Sequence, residues 1–409
     1  MTGSDGGRSF SEFFAEGQYQ TQAETLEVKP SQKELIIGVP KESTLSENRV
    51  AIVPNSVRTL IGYGFKVIVE RGAGEASHFT DHQFSEAGAE VTSDRKKIFS
   101  ALVVIKVTPP TEEELEMFTL DQTLISPLHI PTLTENYIML LKKKKVNAFA
   151  MEYLRSSDGT YPIVRIMSEI AGMSIIQTAS ELLSFSNGGR GVLLGGVSGV
   201  PPAKVIILGA GVVGEFATKA ALGLGASVRV FDNDVSKLMR IQKLVGQSLH
   251  TSTFNPVYLG YQMMSADVVI GAVHSSTGRA PILVTEEMVA KMKPGSVIID
   301  VSIDQGGCIE TSEMTTLESP TFIKHDVIHF CVPNIPSKVP RTASVAISNI
   351  TTGILIKIGK AKTIENLIYN NEGLRNGIYT FKGCLTNEYV ASRFGLKYTS
   401  INLLMASNF

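Results

Sequence analysis

The stretch VIILGAGVVGEFATKAALGLGASVRVFDND, residues 205–234, decides the fold. Its apolar opening reads as a buried strand, its alanine-rich middle as a helix, and SVRVFD as a second strand that ends in Asp232. Glycines at 209, 211 and 214 punctuate the first junction in the order G-x-G-x-x-G. Alone, that spacing recurs by chance in loops. Between a strand and a helix, with an acid closing the next strand, it is the fingerprint of a dinucleotide site. Gly209 allows the tight turn, Gly211 lets the backbone approach a pyrophosphate, and Gly214 lets helix and strand pack closely. The pyrophosphate then rests on the helix N-terminus, where free N–H groups and the dipole favour an anion. At the end of the second strand, Asp232 can accept hydrogen bonds from the adenosine ribose hydroxyls and repel a 2′-phosphate. This predicts NAD rather than NADP.

The same alternation extends both ways. Downstream, ADVVIGAV, GSVIIDVSID and VIHFCVPNIP continue the α/β series. Upstream, a glycine-rich loop (188–199) follows a long helical stretch over 163–185. Before it, LIIGVP (35–40), KVIVER (66–71), GAEVT (88–92), ALVVIKV (101–107), QTLISPL (122–128) and VNAFAME (146–152) read as strands. Strands separated by helical segments imply parallel sheets built from βαβ units. From about Arg341 the chain is helical again, and it reads as returning to the first domain with the second inserted.

At 409 residues, with 43% hydrophobic residues and 36 glycines, the chain suits two compact α/β domains. A net charge of −1 supplies no electrostatic case for a nucleic acid or an anionic membrane. The run Lys142–Lys145 closes an apolar helical pattern, where cations suit a helix C-terminus. Cys308, Cys331 and Cys384 lack CxxC spacing and predict reduced thiols in the cytoplasm. No apolar run is expected to reach the ~18–20 residues that span a bilayer. Residues 1–34 lack an apolar signal core and read as a polar, disordered extension. No HExxH or paired CxxC appears, so no metal is expected.

Several residues stand where chemistry could happen. Asp304 follows an apolar strand in SVIIDVSIDQGGC and precedes two glycines, so it can face a nicotinamide or simply cap the next turn. His129, in SPLHIPTL, lies just past another strand and is either a proton carrier or a structural histidine. Arg49, in SENRVAIVP, can clamp a carboxylate or form an ordinary ion pair. Lys106 ends the apolar run ALVVIKV, two residues before Thr108. On one strand those two share a face about 7 Å apart. Lys106 then either reaches a substrate or pairs with an acid at the strand end.

Taken in order, GVPKE with ENRVAIVP, GAGEASHFTDHQFSEAGA, MSEIAG, GGRGVLLGGVSGVPPAKVIILGAG, MKPGSVIIDVSIDQGGC and CVPNIPSKVPRTAS resemble the family of alanine dehydrogenase and the NAD-binding subunit of proton-translocating transhydrogenase. The resemblance runs from about Leu35 to the C-terminus. It implies two Rossmann-like doubly wound domains, the NAD-binding domain inserted into a discontinuous catalytic domain. The expected boundaries are 35–162 for the first catalytic part, 163–340 for the NAD-binding domain and 341–409 for the second catalytic part. It also implies reversible, NAD-dependent conversion of L-alanine to pyruvate and ammonium by a homo-oligomer, often a hexamer. Arg49 and Lys106 would serve the substrate, and His129 and Asp304 the proton and the attacking water. Ser168, Asp232, Lys237, Val273 and Asn334 would line the dinucleotide with Gly209, Gly211 and Gly214. In typical alanine dehydrogenases the strand here ends Lys-Val-Lys-Glu-Pro, and the second lysine contacts substrate. This chain reads KVTPP, with Thr108 at that position. The transhydrogenase subunit also lacks that lysine. The residues therefore leave open an NAD-dependent dehydrogenase of another small amino or imino acid, and a transhydrogenase-like NAD-binding module without chemistry of its own.

Overall fold

A computed structural model describes residues 35–44, 46–275, 278–361 and 363–406. The extension 1–34 lies outside them. The chain opens with β1 (Ile36–Val39), β2 (Lys66–Glu70), β3 (Glu90–Thr92), β4 (Val103–Ile105), β5 (Thr123–Ser126) and β6 (Asn147–Ala150). After a long helix come β7 (Lys204–Leu208), β8 (Ser227–Phe231), β9 (His250–Ser252), β10 (Val268–Gly271), β11 (Val297–Asp300), β12 (Thr321–Lys324) and β13 (Val327–Phe330). Then β14 (Ile378–Phe381) and β15 (Cys384–Leu385) close the series.

Among the described residues these strands form two sheets, and the α/β class with two doubly wound sheets is as expected. One runs β15-β14-β6-β5-β4-β1-β2-β3 and the other β12-β13-β11-β10-β7-β8-β9. Pairing is parallel except where β14 meets β6 and β15, and where β12 meets β13. Strands such as β4, β5, β10 and β11 are buried along their whole length, because helices cover both faces of a parallel sheet.

Helices tie the two halves together. Helix α1 (Pro162–Leu182) starts with proline at its first turn, where a missing N–H costs nothing. Its early Ile163 belongs to the core around the first sheet, and its later Ile175, Ile176 and Ala179 to the core around the second. It packs on α2 (Val212–Gly223) through Gly172, where a Cβ would stand 2.5 Å from the Val213 carbonyl oxygen. Helix α3 (Pro340–Lys360) returns to the first core with Ile347, Ile354 and Leu355.

By length and composition α3 could cross a membrane, against the expectation that no apolar run reaches that length. Its polar stripe is committed inside the protein. Ser344 Oγ accepts from Val50 N at 2.9 Å, and Ser348 Oγ from Val53 N at 3.0 Å. The irregular segment carrying Arg49 thus takes its backbone partners from α3 instead of a neighbouring strand.

The strand expected over 101–107 stops at Ile105. Beyond it, the N–H groups of Val107 and Thr108 donate to the Glu42 carboxylate, at 2.6 and 3.3 Å. Lys106 and Thr108 therefore do not share a strand face.

Candidate active site

In open α/β sheets, ligands sit outside the carboxyl ends of the strands where strand order reverses. The first sheet reverses between β1 and β4, the second between β7 and β10. Arg49 follows β1, Thr108 follows β4 and His129 follows β5. In the second sheet Gly209 and Gly211 follow β7, Asp232 follows β8, Val273 follows β10, Asp304 follows β11 and Asn334 follows β13. Side chains far apart in sequence thus gather at the carboxyl ends of two sheets.

The glycines of the second sheet differ in what surrounds them. Gly209 has φ +106°, and a Cβ there would lie 2.3 Å from the Ala272 carbonyl oxygen. At Gly214 a Cβ would lie 1.9 Å from the Gly209 carbonyl oxygen. Gly211 instead faces open space, with no protein atom within 4 Å of a Cβ. Two glycines are thus required by the protein itself, and the third keeps a place clear at the start of α2, the cradle a pyrophosphate needs. Asp232 Oδ2 accepts from Ala210 N at 2.7 Å and Oδ1 from Asp234 N at 2.8 Å, fixing the carboxylate beside that loop. Lys237 is exposed on the helix capped by Asp234, Val273 N donates to Ser302 Oγ at 3.0 Å, and Ser168 lies half-buried on α1.

At the end of the first sheet, Arg49 is already held. Its Nε and one terminal nitrogen donate to the two oxygens of Glu47, at 2.6 and 2.5 Å, and the other terminal nitrogen lies 3.4 Å from Met167 Sδ. Asn334 is left-handed, with φ 55°, and its amide donates to the same Glu47 at 2.9 Å. Lys106 is fully buried; its ammonium lies 3.1 Å from Glu114 and 3.4 Å from Glu42. That geometry gives Lys106 an acid-paired place in the interior instead of the substrate contact expected of it. Thr108 Oγ1 donates to Glu42 as well. Burial raises the Glu42 pKa above the ordinary 4.5, with the Lys106 charge the chief opposing influence.

His129 is exposed and left-handed, with φ 45°, and its Nδ1 lies 2.8 Å from Thr132 Oγ1. Glu152 holds the turn: its carboxylate accepts from Leu128 N at 2.9 Å and from His129 N at 3.2 Å. Asp304 sits on a single-turn helix, Val301–Gln305, folded around the buried Asp300. Asp300 accepts from Ser302 N, Cys308 N, Ile309 N and Ser312 Oγ. Desolvation by the surrounding protein raises the Asp304 pKa above 3.8, and the charge of His129 opposes the rise. Solvent still reaches the Asp304 side chain, which moderates the rise. That opposing influence on Asp304 thus comes from a residue of the other sheet.

Family models for the N-terminal and C-terminal domains of alanine dehydrogenase/PNT match residues 38–171 and 175–388. Alanine dehydrogenase 2 of Staphylococcus aureus (strain USA300) is 41% identical over 366 residues, covering 89% of this chain and 98% of that protein. The chain belongs to the alanine dehydrogenase/PNT family. Among solved structures, an L-alanine dehydrogenase superposes with TM-score 0.83 at 38% identity, over 88% of this chain and 99% of that one. A transhydrogenase from Sinorhizobium meliloti gives 0.73 at 25% identity, over 87% and 99%.

As a member of the alanine dehydrogenase/PNT family, the chain is an NAD-dependent oxidoreductase, and its glycine loop and Asp232 fit that cofactor. Four acids escaped the reading of the sequence: Glu42, Glu47, Glu152 and Asp300, each holding a site residue or its loop. Only Glu47 carried a local signal, two positions before Arg49 in SENRV.

Proposed function

We propose that the protein catalyses reversible oxidative deamination: L-alanine, NAD and water give pyruvate, ammonium, NADH and a proton. The observation that carries this reading is the Asn334–Glu47 hydrogen bond at 2.9 Å, which sets the carboxyl end of the dinucleotide-type sheet against the Arg49 segment of the other sheet. The relatives named alanine dehydrogenase, covered nearly end to end, support the same substrate. On this reading, 35–162 and 341–409 form the catalytic domain and 163–340 the NAD-binding domain.

The glycine loop and Asp232 would hold NAD, which would supply the acceptor for the hydride of the α-carbon. Arg49 binds the substrate carboxylate through the guanidinium edge that Glu47 leaves free. Asp304, once ionised, takes a proton from the water that adds to the imine carbon. His129 exchanges a proton with the oxygen that becomes the carbonyl, an imidazole being able to give or take one. Lys106 acts one step back, charging Glu42, which in turn holds Thr108. Thr108 offers a hydroxyl where the family usually presents an ammonium. That change favours, as a second reading, a dehydrogenase of another small amino acid.

Exposed Phe185, Leu193, Val197 and Val200 fit a homo-oligomer. The free thiols fit the reducing cytoplasm.

The test is formation of NADH from NAD with L-alanine, beside L-2-aminobutyrate, L-serine and glycine, with pyruvate and ammonium assayed as products. Alanine should be the best of the four by kcat/KM. A clear preference for another would move the assignment to the second reading.

A further inference from the structure

The Glu47 side chain is 1% exposed, and every polar contact it makes leads to one of two places. On one side it grips Arg49 through Nε, the terminal nitrogen and the backbone N–H, at 2.6, 2.5 and 3.0 Å. On the other it accepts from Asn334 at 2.9 Å, and Ser337 Oγ lies 3.5 Å away. The turn 334–337 follows β13 of the dinucleotide sheet. It is stitched to the Arg49 segment three times more: Ser337 Oγ donates to the Ser46 carbonyl at 2.6 Å and accepts from Asn48 N at 2.9 Å, and the Asn48 amide donates to the Ser337 carbonyl at 3.3 Å. The Glu47 oxygen that binds the Arg49 terminal nitrogen is the one that accepts from Asn334. The aim of the guanidinium is therefore set jointly by its own segment and by a turn of the other sheet.

We infer that Glu47 is a positioning residue for substrate: it aims Arg49 at the substrate carboxylate and takes its own position from Asn334. The inference rests on the proposed role of Arg49. Glu47 neutralises part of the Arg49 charge, which by itself would weaken carboxylate binding. In a site this buried, orientation outweighs charge, because a fork loose by about 1 Å can forfeit far more than a screened attraction supplies. In Glu47→Gln the amide nitrogen would face the donors of Arg49 or of Asn334, and no rotamer of the amide satisfies both sets.

The experiment is steady-state kinetics in the direction of alanine formation, on the full chain, with pyruvate, ammonium and NADH each varied in turn while the other two are saturating. Glu47→Gln should raise KM for pyruvate by about tenfold or more, while KM for ammonium and NADH stays within about twofold. Asn334→Gly, which keeps the left-handed backbone but deletes the amide, should raise KM for pyruvate in the same direction. If Asn334 acts through Glu47, the double variant should be no worse than Glu47→Gln alone. Should Glu47→Gln not fold, Asn334→Gly decides by its pyruvate KM. An unchanged pyruvate KM, a fall in it, or additive effects in the double variant would each overturn the inference. So would a parallel loss in all three substrates, the mark of a merely structural role. If the unmodified protein does not turn over pyruvate, the proposed function itself fails, and the inference with it.

Discussion

Lys106 shows how far a single residue can be read. Its place at the end of an apolar run was plain in the sequence, and so were its two possible partners. The choice was not, because Glu42 and Glu114 reach it only through the fold. Removing a buried cation from between two acids leaves uncompensated charge, so Lys106→Met should cost about 3–5 kcal/mol of stability in urea unfolding. The pH sign follows from Glu42. Its folded pKa already lies above the unfolded value near 4.5, and without Lys106 it rises further. Such a group lends stability below the unfolded pKa and loses it as pH rises through the folded pKa. The deficit of Lys106→Met should therefore be larger at neutral pH than in mild acid; equal deficits would show that Glu42 is not charged beside Lys106. Asp304 makes a parallel prediction for activity. Its pKa is raised by desolvation, and only the carboxylate can take a proton from water. Alanine deamination by kcat/KM should thus fall, as pH drops, at a pH above the ordinary aspartate value of 3.8. An acid limb at or below that value would remove Asp304 from the proton transfer.

At the level of elements, the dinucleotide loop was the most legible part of the chain, since a tight turn, a clear approach and a close packing are demands the local backbone makes on its own residues. The three glycines should separate under substitution. At Gly211 the backbone has an ordinary φ of −70° and open space around it. Gly211→Ala should therefore fold with unchanged stability and lose about tenfold or more in NADH affinity, because the added methyl occupies the pyrophosphate cradle. Gly214→Ala puts its methyl against the Gly209 carbonyl and should lower stability by about 1–3 kcal/mol, read by thermal unfolding without ligand. Equal stability losses at both sites would contradict the assignment of open space at Gly211. The end of β4 was less legible. Its apolar run continues to Val107, but a carboxylate from position 42 competes for the N–H groups, and no local pattern reports a competitor so distant. Helix α3 is similar. Its helical pattern was visible, whereas the service of Ser344 and Ser348 to the Arg49 segment is a property of the packed pair.

At the level of the whole molecule, alternation along the chain implied parallel sheets and the strand ends where ligands would gather, and the family resemblance implied that the sheets are doubly wound. How the two sheets face each other was not written in any local pattern. It depends on contacts such as Asn334 to Glu47, 287 positions apart, and on α1 running through both cores. The central claim is that His129 from one sheet and Asp304 from the other make a deaminating site. The measurement that tests it most directly compares the unmodified protein with Asp304→Asn, following NADH oxidation by pyruvate with and without ammonium and NADH binding by fluorescence titration. Both proteins should bind NADH alike, within about twofold. Only the unmodified protein should turn over at an appreciable rate, with ammonium required and Asp304→Asn slower by about a hundredfold or more. Turnover independent of ammonium, or an Asp304→Asn variant as fast as the unmodified protein, would contradict the account.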